Sequence, residues 1–253
     1  RFIITRTNQG GNQLGKKRGF VGLLAVLLCF ASWTGFALAA ESPGIVGIDI
    51  LSVNDFHGSL VESGRNPGAA KFGAFLRSEW SKNPHGTIFL SAGDMFQGSP
   101  DSNLLYGKTV VEVLNALRLD AMTLGNHEFD WGLDKLHDRV GESAFPYVSA
   151  NVREKDAQGR MNFVAPYVML ERCGLKIAVI GSVTPETAYT TGPKIVAPFE
   201  FRDPVAVVKE LLPAVRRQGA ELVVVLSHLA SYQDKESGQV TGDAADLARA
   251  ATG

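Results

Sequence analysis

The chain has 253 residues, of which 45% are hydrophobic and 20% charged, and its formal net charge is −1. A chain of this length can bury a sizeable core, and one large α/β domain is its natural division. The charge balance provides no basic footprint for phosphate backbones, so a nucleic-acid polymer is not expected as a partner.

Residues 1–39 have the pattern of an export signal. Three basic residues at 16–18 precede an apolar run over residues 20–40, and the run ends in Ala37-Leu38-Ala39. This order of basic segment, apolar segment and Ala-x-Ala site is typical of a secretory signal peptide. A permanent membrane anchor is the alternative, because the run approaches the ~20 residues of a spanning helix. Small residues at its end favour cleavage after Ala39, so we expect a periplasmic or secreted protein with no stable membrane anchor.

Cleavage after Ala39 would change the charge and the cysteine content. It would remove five basic residues and no acidic residue, which moves the formal net charge from −1 to −6. Such an acidic protein needs metal cations or local arginines to attract a phosphate group. Cys173 would be the remaining cysteine, so no intrachain disulfide is expected.

Beyond Ile45, short apolar runs that predict strands alternate with segments of helical period. The predicted strands are residues 48–53, 87–90, 121–124, 164–170, 175–183 and 222–226. The run at 222–226 is entirely apolar, so we expect that strand to be fully buried. The strands at 164–170 and 175–183 are predicted to form a hairpin that turns at Cys173-Gly174.

The predicted helices lie between these strands. They cover residues 72–80, 110–117, 131–140, 204–217 and 243–251. In the first of them, Phe72, Phe75, Leu76 and Trp80 are expected to share one apolar face. Strands that alternate with helices predict an α/β fold with a largely parallel sheet, to which the hairpin adds antiparallel pairing.

Side chains that can bind a metal follow four of the predicted strands. In chain order they are Asp55 and His57, then Asp94, then Asn126, then His228. Each residue taken alone is more often a turn former, a helix cap or a packed side chain. Because sites in α/β sheets gather at the carboxyl ends of strands, their shared position predicts one convergent site.

The donor types in this set restrict the metal. Two aspartates, two histidines and one asparagine, with no thiolate, suit Mn, Zn, Mg, Co or Fe rather than a structural thiolate zinc site. Two ions ~3.5–4 Å apart need a bridging carboxylate, and Asp94 is the best candidate for it. We therefore expect two divalent metal ions as cofactors.

Residues 125–130 read Gly-Asn-His-Glu-Phe-Asp and are the most informative segment of the chain. Asn126 and His127 project in different directions, so one can hold a metal while the other faces a substrate. Asp130 lies three residues beyond His127, close enough to accept a hydrogen bond from its ring. Glu128 is interpreted as structural.

Four ordered blocks carry a family resemblance. They are residues 54–58 (Asn-Asp-Phe-His-Gly), 92–99 (Ala-Gly-Asp-Met-Phe-Gln-Gly-Ser), 125–132 (Gly-Asn-His-Glu-Phe-Asp-Trp-Gly) and 226–228 (Leu-Ser-His). These blocks resemble the calcineurin-type metallophosphoesterases, and more narrowly the N-terminal domain of secreted bacterial 5′-nucleotidases and UDP-sugar hydrolases. The resemblance covers nearly all of residues 48–253 and implies an α/β/β/α sandwich with mixed sheets.

The resemblance also implies roles for the candidate residues. Asp55 and His57 would bind one metal, Asp94 would bridge both metals, and Asn126 and His228 would bind the second.

A catalytic pair is implied in the same way. His127, oriented by Asp130, would stabilise the transition state or protonate the leaving group. The implied reaction is hydrolysis of a nucleotide or other phosphate ester, in which a metal-activated hydroxide attacks phosphorus in line.

The family pattern extends further than this chain. A Gly-His-(Ser/Thr)-His block is expected after the helix at 243–251 and one more strand, so each metal would lack one ligand here. A C-terminal substrate domain with base-clamping aromatic residues is expected as well. We therefore interpret residues 1–39 as an upstream segment with signal peptide, and 40–253 as a truncated metallophosphoesterase domain.

Two other functions remain open from the sequence. Thiosulfohydrolases of sulfur oxidation share this scaffold but act on a sulfur centre. An inactive secreted metal-binding fragment is the other possibility. Metal content and phosphate release from AMP would separate the three.

Overall fold

The computed structural model describes residues 2–5, 45–156, 158 and 161–251. The predicted basic segment, apolar run and cleavage site at 16–40 lie outside the described residues. Within the described residues, no helix combines the length and apolar character needed to cross a membrane.

The described residues form twelve strands, eight α-helices and one short 3₁₀ turn at His127–Phe129. The strands are β1 (Phe2–Thr5), β2 (Ile45–Val53), β3 (Thr87–Ser91), β4 (Ala121–Thr123), β5 (Tyr147–Val148), β6 (Val152–Glu154), β7 (Tyr167–Arg172), β8 (Leu175–Val183), β9 (Phe199–Phe201), β10 (Leu222–His228), β11 (Tyr232–Gln233) and β12 (Val240–Thr241). The helices are α1 (Gly68–Trp80), α2 (Pro100–Asn103), α3 (Lys108–Ala116), α4 (Leu133–Glu142), α5 (Thr187–Thr190), α6 (Pro193–Val196), α7 (Pro204–Arg217) and α8 (Asp243–Ala250).

Two main sheets organise the fold. The first has the order β1-β2-β3-β4-β5, in which β1 is antiparallel to β2 and the other neighbours are parallel. The second has the order β10-β8-β7, with β10 parallel and β7 antiparallel to β8. Two small antiparallel pairs, β6-β9 and β11-β12, complete the pairing. The prediction of an α/β fold with mixed sheets is confirmed, and so is the hairpin at Cys173-Gly174.

Side-chain alternation along the strands assigns the layers. In β3, Ile88 and Leu90 pack with Ile177 and Val179 of β8, so the two main sheets face each other. Phe89 points to the opposite face, where it packs against α1, α3 and α4.

The outer face of β8 carries the fourth layer. Ala178 and Ile180 pack there against Val208 and Val215 of α7 and Leu247 of α8. The order of layers is therefore helix, sheet, sheet, helix, which is the predicted sandwich. Each fully buried aliphatic or aromatic side chain contributes roughly 1.5–3 kcal/mol to it.

Some local predictions are wrong. The strand predicted at 222–226 is not fully buried: it extends to His228, and most of its residues are half-buried because β10 is an edge strand of its sheet. Phe75 is 58% exposed while Leu76 is buried, because neighbouring residues on a helix point about 100° apart.

Two boundaries also differ from the sequence prediction. β7 begins at Tyr167 rather than at 164, because Pro166 lacks the backbone N–H that a ladder uses. α4 begins at Leu133 after Gly132, whose φ of 85° is not helical.

Candidate metal centre

The loops after β2 and β3 run side by side past the ends of their strands. The N–H of Asp55 donates to the carbonyl of Gly93 at 3.0 Å, and the N–H of His57 donates to the carbonyl of Asp94 at 3.1 Å. This continued pairing brings one potential ligand atom from each of Asp55, His57 and Asp94 within 4.8 Å of the others. The predicted convergence of these three residues is present in the structure.

The same three residues have left-handed backbone conformations. Their φ values are 51° for Asp55, 47° for His57 and 56° for Asp94, and they are three of the six non-glycine residues with positive φ in the described part of the chain. This conformation costs roughly 1–2 kcal/mol per residue outside glycine. Such strain persists where surrounding contacts impose it, and it clusters at functional sites. Here it accompanies the approach of three candidate ligand side chains to within 4.8 Å of one another.

Two glycines let the loops after β3 and β4 touch. A Cβ atom on Gly125 would lie 2.1 Å from Oδ1 of Asp94, and one on Gly93 would lie 2.4 Å from the nitrogen of Gly125. Neither position can therefore carry a side chain without moving the Asp94 loop.

Glu128 holds the Asp94 loop in place through hydrogen bonds to its carboxylate. Its Oε2 accepts hydrogen bonds from the N–H groups of Asp94 at 2.8 Å and Gly125 at 2.6 Å, and its Oε1 accepts one from Met95 at 2.9 Å. Burial and the nearby charge of Asp94 raise the pKa of Glu128 to about 7, against the lowering effect of these hydrogen bonds. Glu128 therefore has a structural role, as predicted: its carboxylate links the Asp94 loop to the segment that carries Asn126.

His228 reaches the site from the second sheet. Its Nδ1 lies 2.8 Å from the carbonyl of Ala92, and its Nε2 lies 3.3 Å from Oδ2 of Asp94. His57 is held in the same way, with Nδ1 at 2.8 Å from the carbonyl of Gln97. Because a carbonyl only accepts, Nδ1 carries a proton in both rings, and Nε2 is the nitrogen of each ring that could bind a metal.

The contact between His228 and Asp94 also shifts both pKa values. Burial lowers the pKa of His228, but the hydrogen bond and charge of Asp94 outweigh burial and raise it to about 9. Burial raises the pKa of Asp94, and the His228 partner outweighs it, so the pKa lies below its ordinary value. The proximity of the two groups and the directions of their pKa shifts describe an ion pair between His228 and Asp94.

His127 lies beside these ligands but is bonded differently. Its ring Nδ1 lies 2.7 Å from Oδ2 of Asp130, and its ring meets that of His57 edge-on with centroids 5.3 Å apart. Burial lowers the pKa of His127, but the hydrogen bond to Asp130 and the charge of Asp94 outweigh it and raise the pKa above its ordinary value. The predicted hydrogen bond between His127 and Asp130 is present.

Asn126 faces a polar trough next to the centre. Its side chain does not cap the short 3₁₀ turn that it precedes. The trough, of about 270 Å³, is lined by Asp55, Asn126 and His228 together with Asn54, Thr184 and Ser227. Three of the five candidate ligands line this trough, and one of them, Asp55, also belongs to the cluster with His57 and Asp94. The assignment of all five to individual ions stays a prediction.

Some parts of the centre could not be foreseen from the sequence. Thr191, 61 positions from Asp130, donates its hydroxyl to Oδ1 of that residue at 3.0 Å. The supporting carbonyls of Ala92 and Gln97 had no sequence signal either, because any residue offers a carbonyl. The other two histidines of the described residues lie elsewhere: His85 is exposed in its loop, and the ring of His137 packs edge-on against that of Phe163.

Comparison with known proteins decides the family. A family model described as calcineurin-like phosphoesterase matches residues 48–250 and includes every candidate ligand. The chain belongs to the calcineurin-like phosphoesterase family.

Two relatives lie within this family. The chain is 34% identical over 208 residues to a 5′-nucleotidase of Vibrio parahaemolyticus, a match that covers 80% of this chain and 37% of that protein. It is 31% identical to the solved 5′-nucleotidase precursor of Thermus thermophilus, with a TM-score of 0.63 over 72% of this chain and 37% of that one. The chain spans about two fifths of the length of the curated relatives it matches.

A more distant structure bears on the thiosulfohydrolase alternative. The sulfate thiohydrolase SoxB of Thermus thermophilus has a TM-score of 0.62 over 71% of this chain and 43% of that one, at 19% identity. At that identity the likeness shows a common fold alone.

Proposed function

We propose that this protein is a two-metal phosphohydrolase of the 5′-nucleotidase type, which removes phosphate from nucleotides. The observation that carries the proposal is the place of Asp94. One ligand atom of Asp94 lies within 4.8 Å of those of Asp55 and His57, and its Oδ2 lies 3.3 Å from Nε2 of His228, which comes from the other main sheet. A carboxylate close to two groups of potential ligands is what a bridge between two ions requires.

The donors fit two divalent ions. Asp55, His57 and Asp94 would hold one ion, and Asp94, Asn126 and His228 would hold the other. Carboxylate, amide and imidazole donors suit Mn, Zn, Mg, Co or Fe. The fit is supported by both histidines, since each has its Nδ1 proton bonded to a backbone carbonyl and its Nε2 turned toward a carboxylate.

The chain's own residues have distinct tasks in the reaction. The two ions, when bound, supply Lewis acidity and compensate the charge of the phosphate. Asp130 holds His127 at Nδ1, which leaves Nε2 to protonate the leaving oxygen or to hydrogen-bond the phosphate in the transition state. Acid–base help of this kind contributes roughly 10²–10⁴-fold to the rate. The N–H of His127 also donates to Oδ1 of Asp94 at 3.0 Å, which keeps the ring beside the bridging carboxylate.

A nucleotide phosphate ester is the substrate we propose. The support comes from the family, a family of phosphoric ester hydrolases, and from relatives that are named 5′-nucleotidases. The polar trough beside Asp55, Asn126 and His228 gives such an ester a path to the ligands. A nucleic-acid polymer is not proposed, because the chain has no excess of basic residues.

We also propose that residues 1–39 direct export and that 40–253 belong to the metal-binding domain. The support is the basic, apolar and Ala-x-Ala pattern of the first 39 residues. N-terminal sequencing of the exported protein should begin at Ala40. A mature protein that begins upstream of Phe20 would contradict export with cleavage.

The test of function uses the full natural protein, stripped with chelator and reloaded with Mn²⁺, Co²⁺, Zn²⁺ or Mg²⁺. We expect two ions per chain and metal-dependent phosphate release from AMP. His57→Ala should reduce both, whereas His85→Ala, which changes an exposed histidine outside the centre, should change neither. Sulfate release from a thiosulfonate substrate without phosphate release from AMP would favour the thiosulfohydrolase, and metal binding without either reaction would favour an inactive protein.

A further inference from the structure

Thr191 contacts Asp130, the residue that hydrogen-bonds His127, and the proposed reaction gives Thr191 no role. Its hydroxyl donates to Oδ1 of Asp130 at 3.0 Å, while Oδ2 of the same carboxylate accepts from the ring of His127 at 2.7 Å. The two oxygens of Asp130 are thereby divided between two partners. A carboxylate held at both oxygens cannot rotate away from the imidazole.

The position of Thr191 is itself fixed by the core. The residue is 8% exposed and lies in extended conformation between α5 and α6. Five residues later, Val196 is buried in the cluster that contains Phe129, the residue before Asp130. The segments that carry Asp130 and Thr191 therefore each place a residue, Phe129 and Val196, in one packed cluster, which limits how far the hydroxyl can move from the carboxylate.

We propose that Thr191 is a positioning residue for His127 and acts through Asp130. This inference rests on the proposed function, since it assigns His127 a task in turnover. A hydroxyl that donates to Oδ1 stabilises the carboxylate and leaves Oδ2 as the acceptor for the imidazole. Asp130 then keeps the proton of His127 on Nδ1, and Nε2 faces the substrate side of the ring.

The first test compares three variants of the full natural protein loaded with Mn²⁺. Thr191→Val removes the hydroxyl at nearly constant volume, Thr191→Ser keeps it, and Thr187→Val is the matched control. Thr187 is fully buried in the same segment, but its hydroxyl donates to the carbonyl of Thr184 at 2.7 Å and not to Asp130.

For Thr191→Val we expect a roughly tenfold fall in kcat on AMP, the size expected when a hydrogen bond to a charged group is lost. KM and the number of bound ions should stay the same. Thr191→Ser should recover most of kcat, and Thr187→Val should match the unmodified protein. An equal loss of kcat in Thr187→Val, or no loss in Thr191→Val, overturns the proposal.

A double-mutant cycle separates positioning from a general structural effect. If Thr191 acts through the imidazole, adding Thr191→Val to His127→Ala should lower kcat no further, whereas independent effects would add. Nitrogen-15 spectra of His127 in the metal-free protein should show a smaller fraction of the Nδ1-protonated tautomer in Thr191→Val. Additive losses, or an unchanged tautomer, refute the role of Thr191. A His127→Ala variant with unchanged kcat would instead refute the proposed task of His127 itself.

Discussion

Nε2 of His228 and Oδ2 of Asp94 lie 3.3 Å apart, although His228 ends β10 and Asp94 follows β3, strands of different sheets. β10 brings His228 from the three-stranded sheet, and β3 brings Asp94 from the five-stranded sheet. The candidate centre therefore lies where the ends of strands from the two main sheets meet. Ions bound there would link the layers as well as serve catalysis.

The first prediction separates the bridging ligand from the catalytic histidine. Asp94→Ala should abolish binding of both ions and reduce activity to background, because both groups of ligands depend on that carboxylate. His127→Ala should keep both ions and lower kcat about 10²–10⁴-fold, since it is assigned to acid–base work. Metal analysis by mass spectrometry beside AMP turnover measures the two effects. Loss of metal in His127→Ala with retention in Asp94→Ala would reverse the assignment.

The second prediction concerns Glu128. In Glu128→Gln the amide NH₂ cannot accept, so at least one buried N–H among Asp94, Met95 and Gly125 loses its partner. We expect the free energy of unfolding to fall by about 1–3 kcal/mol and metal affinity to weaken. The measurement is urea unfolding at pH 8.5, above the pKa of about 7 for Glu128, so that the comparison is with the carboxylate.

Glu112→Gln is the control for this measurement, because Glu112 is exposed on α3. It should change the free energy of unfolding by less than about 0.5 kcal/mol. If the two variants unfold alike, the three hydrogen bonds to Glu128 do not stabilise the Asp94 loop.

The third prediction follows from the raised pKa of His228. A histidine whose folded-state pKa lies near 9 contributes its full stabilisation below pH 6.5, and that contribution is lost as the pH rises through about 9. In the metal-free protein, the free energy of unfolding should therefore fall by about 2–3 kcal/mol between pH 6.5 and 9.5. Bound metal takes the place of the proton, so the metal-loaded protein should lose less.

Urea unfolding with and without chelator at the two pH values measures this effect. His228→Gln should reduce the pH dependence of the metal-free protein to the part that the raised pKa values of His127 and Glu128 contribute, whereas the exposed-site variant His85→Gln should preserve it in full. A metal-free protein that is equally stable at pH 6.5 and 9.5 would show that the ion pair with Asp94 contributes nothing.

The sequence was sufficient to predict that the candidate ligands come together, because strand ends converge in an α/β fold. Asp55, Asp94 and His228 could be placed together from the apolar runs that precede them. The strands themselves were recognisable by composition, although β10 is half-buried because sheet edges are set by tertiary pairing. Burial of a strand cannot be read from its apolar character alone.

The supporting structure of the centre had no local signal. His57 has a left-handed backbone with φ of 47°, because the paired loop imposes that conformation. Nothing in the sequence around a histidine distinguishes this conformation from that of a histidine in a strand. The contact of Thr191 with Asp130 joins residues 61 positions apart. Such contacts are determined by how layers pack, and a single sequence contains no periodic pattern for them.

The last prediction tests the close approach of Gly125 and Asp94. A Cβ atom in Gly125→Ala would lie 2.1 Å from Oδ1 of Asp94 and 2.7 Å from its nitrogen, so the carboxylate or the loop must move. We expect metal affinity to fall at least about tenfold, and the free energy of unfolding to fall by about 1–3 kcal/mol, as for other overpacked sites.

Gly141→Ala is the matched control, because no atom lies within 4 Å of a Cβ atom there and the residue is inside α4. Alanine is favoured over glycine in a helix, so this variant should be more stable by roughly 0.5–1 kcal/mol and should keep both ions. Metal titration and urea unfolding of the two variants measure the difference. Gly125→Ala cannot displace the Asp94 carboxylate without a loss of metal affinity if that carboxylate bridges the ions. Equal metal affinity in Gly125→Ala and Gly141→Ala would therefore contradict the role of Asp94 as the bridge.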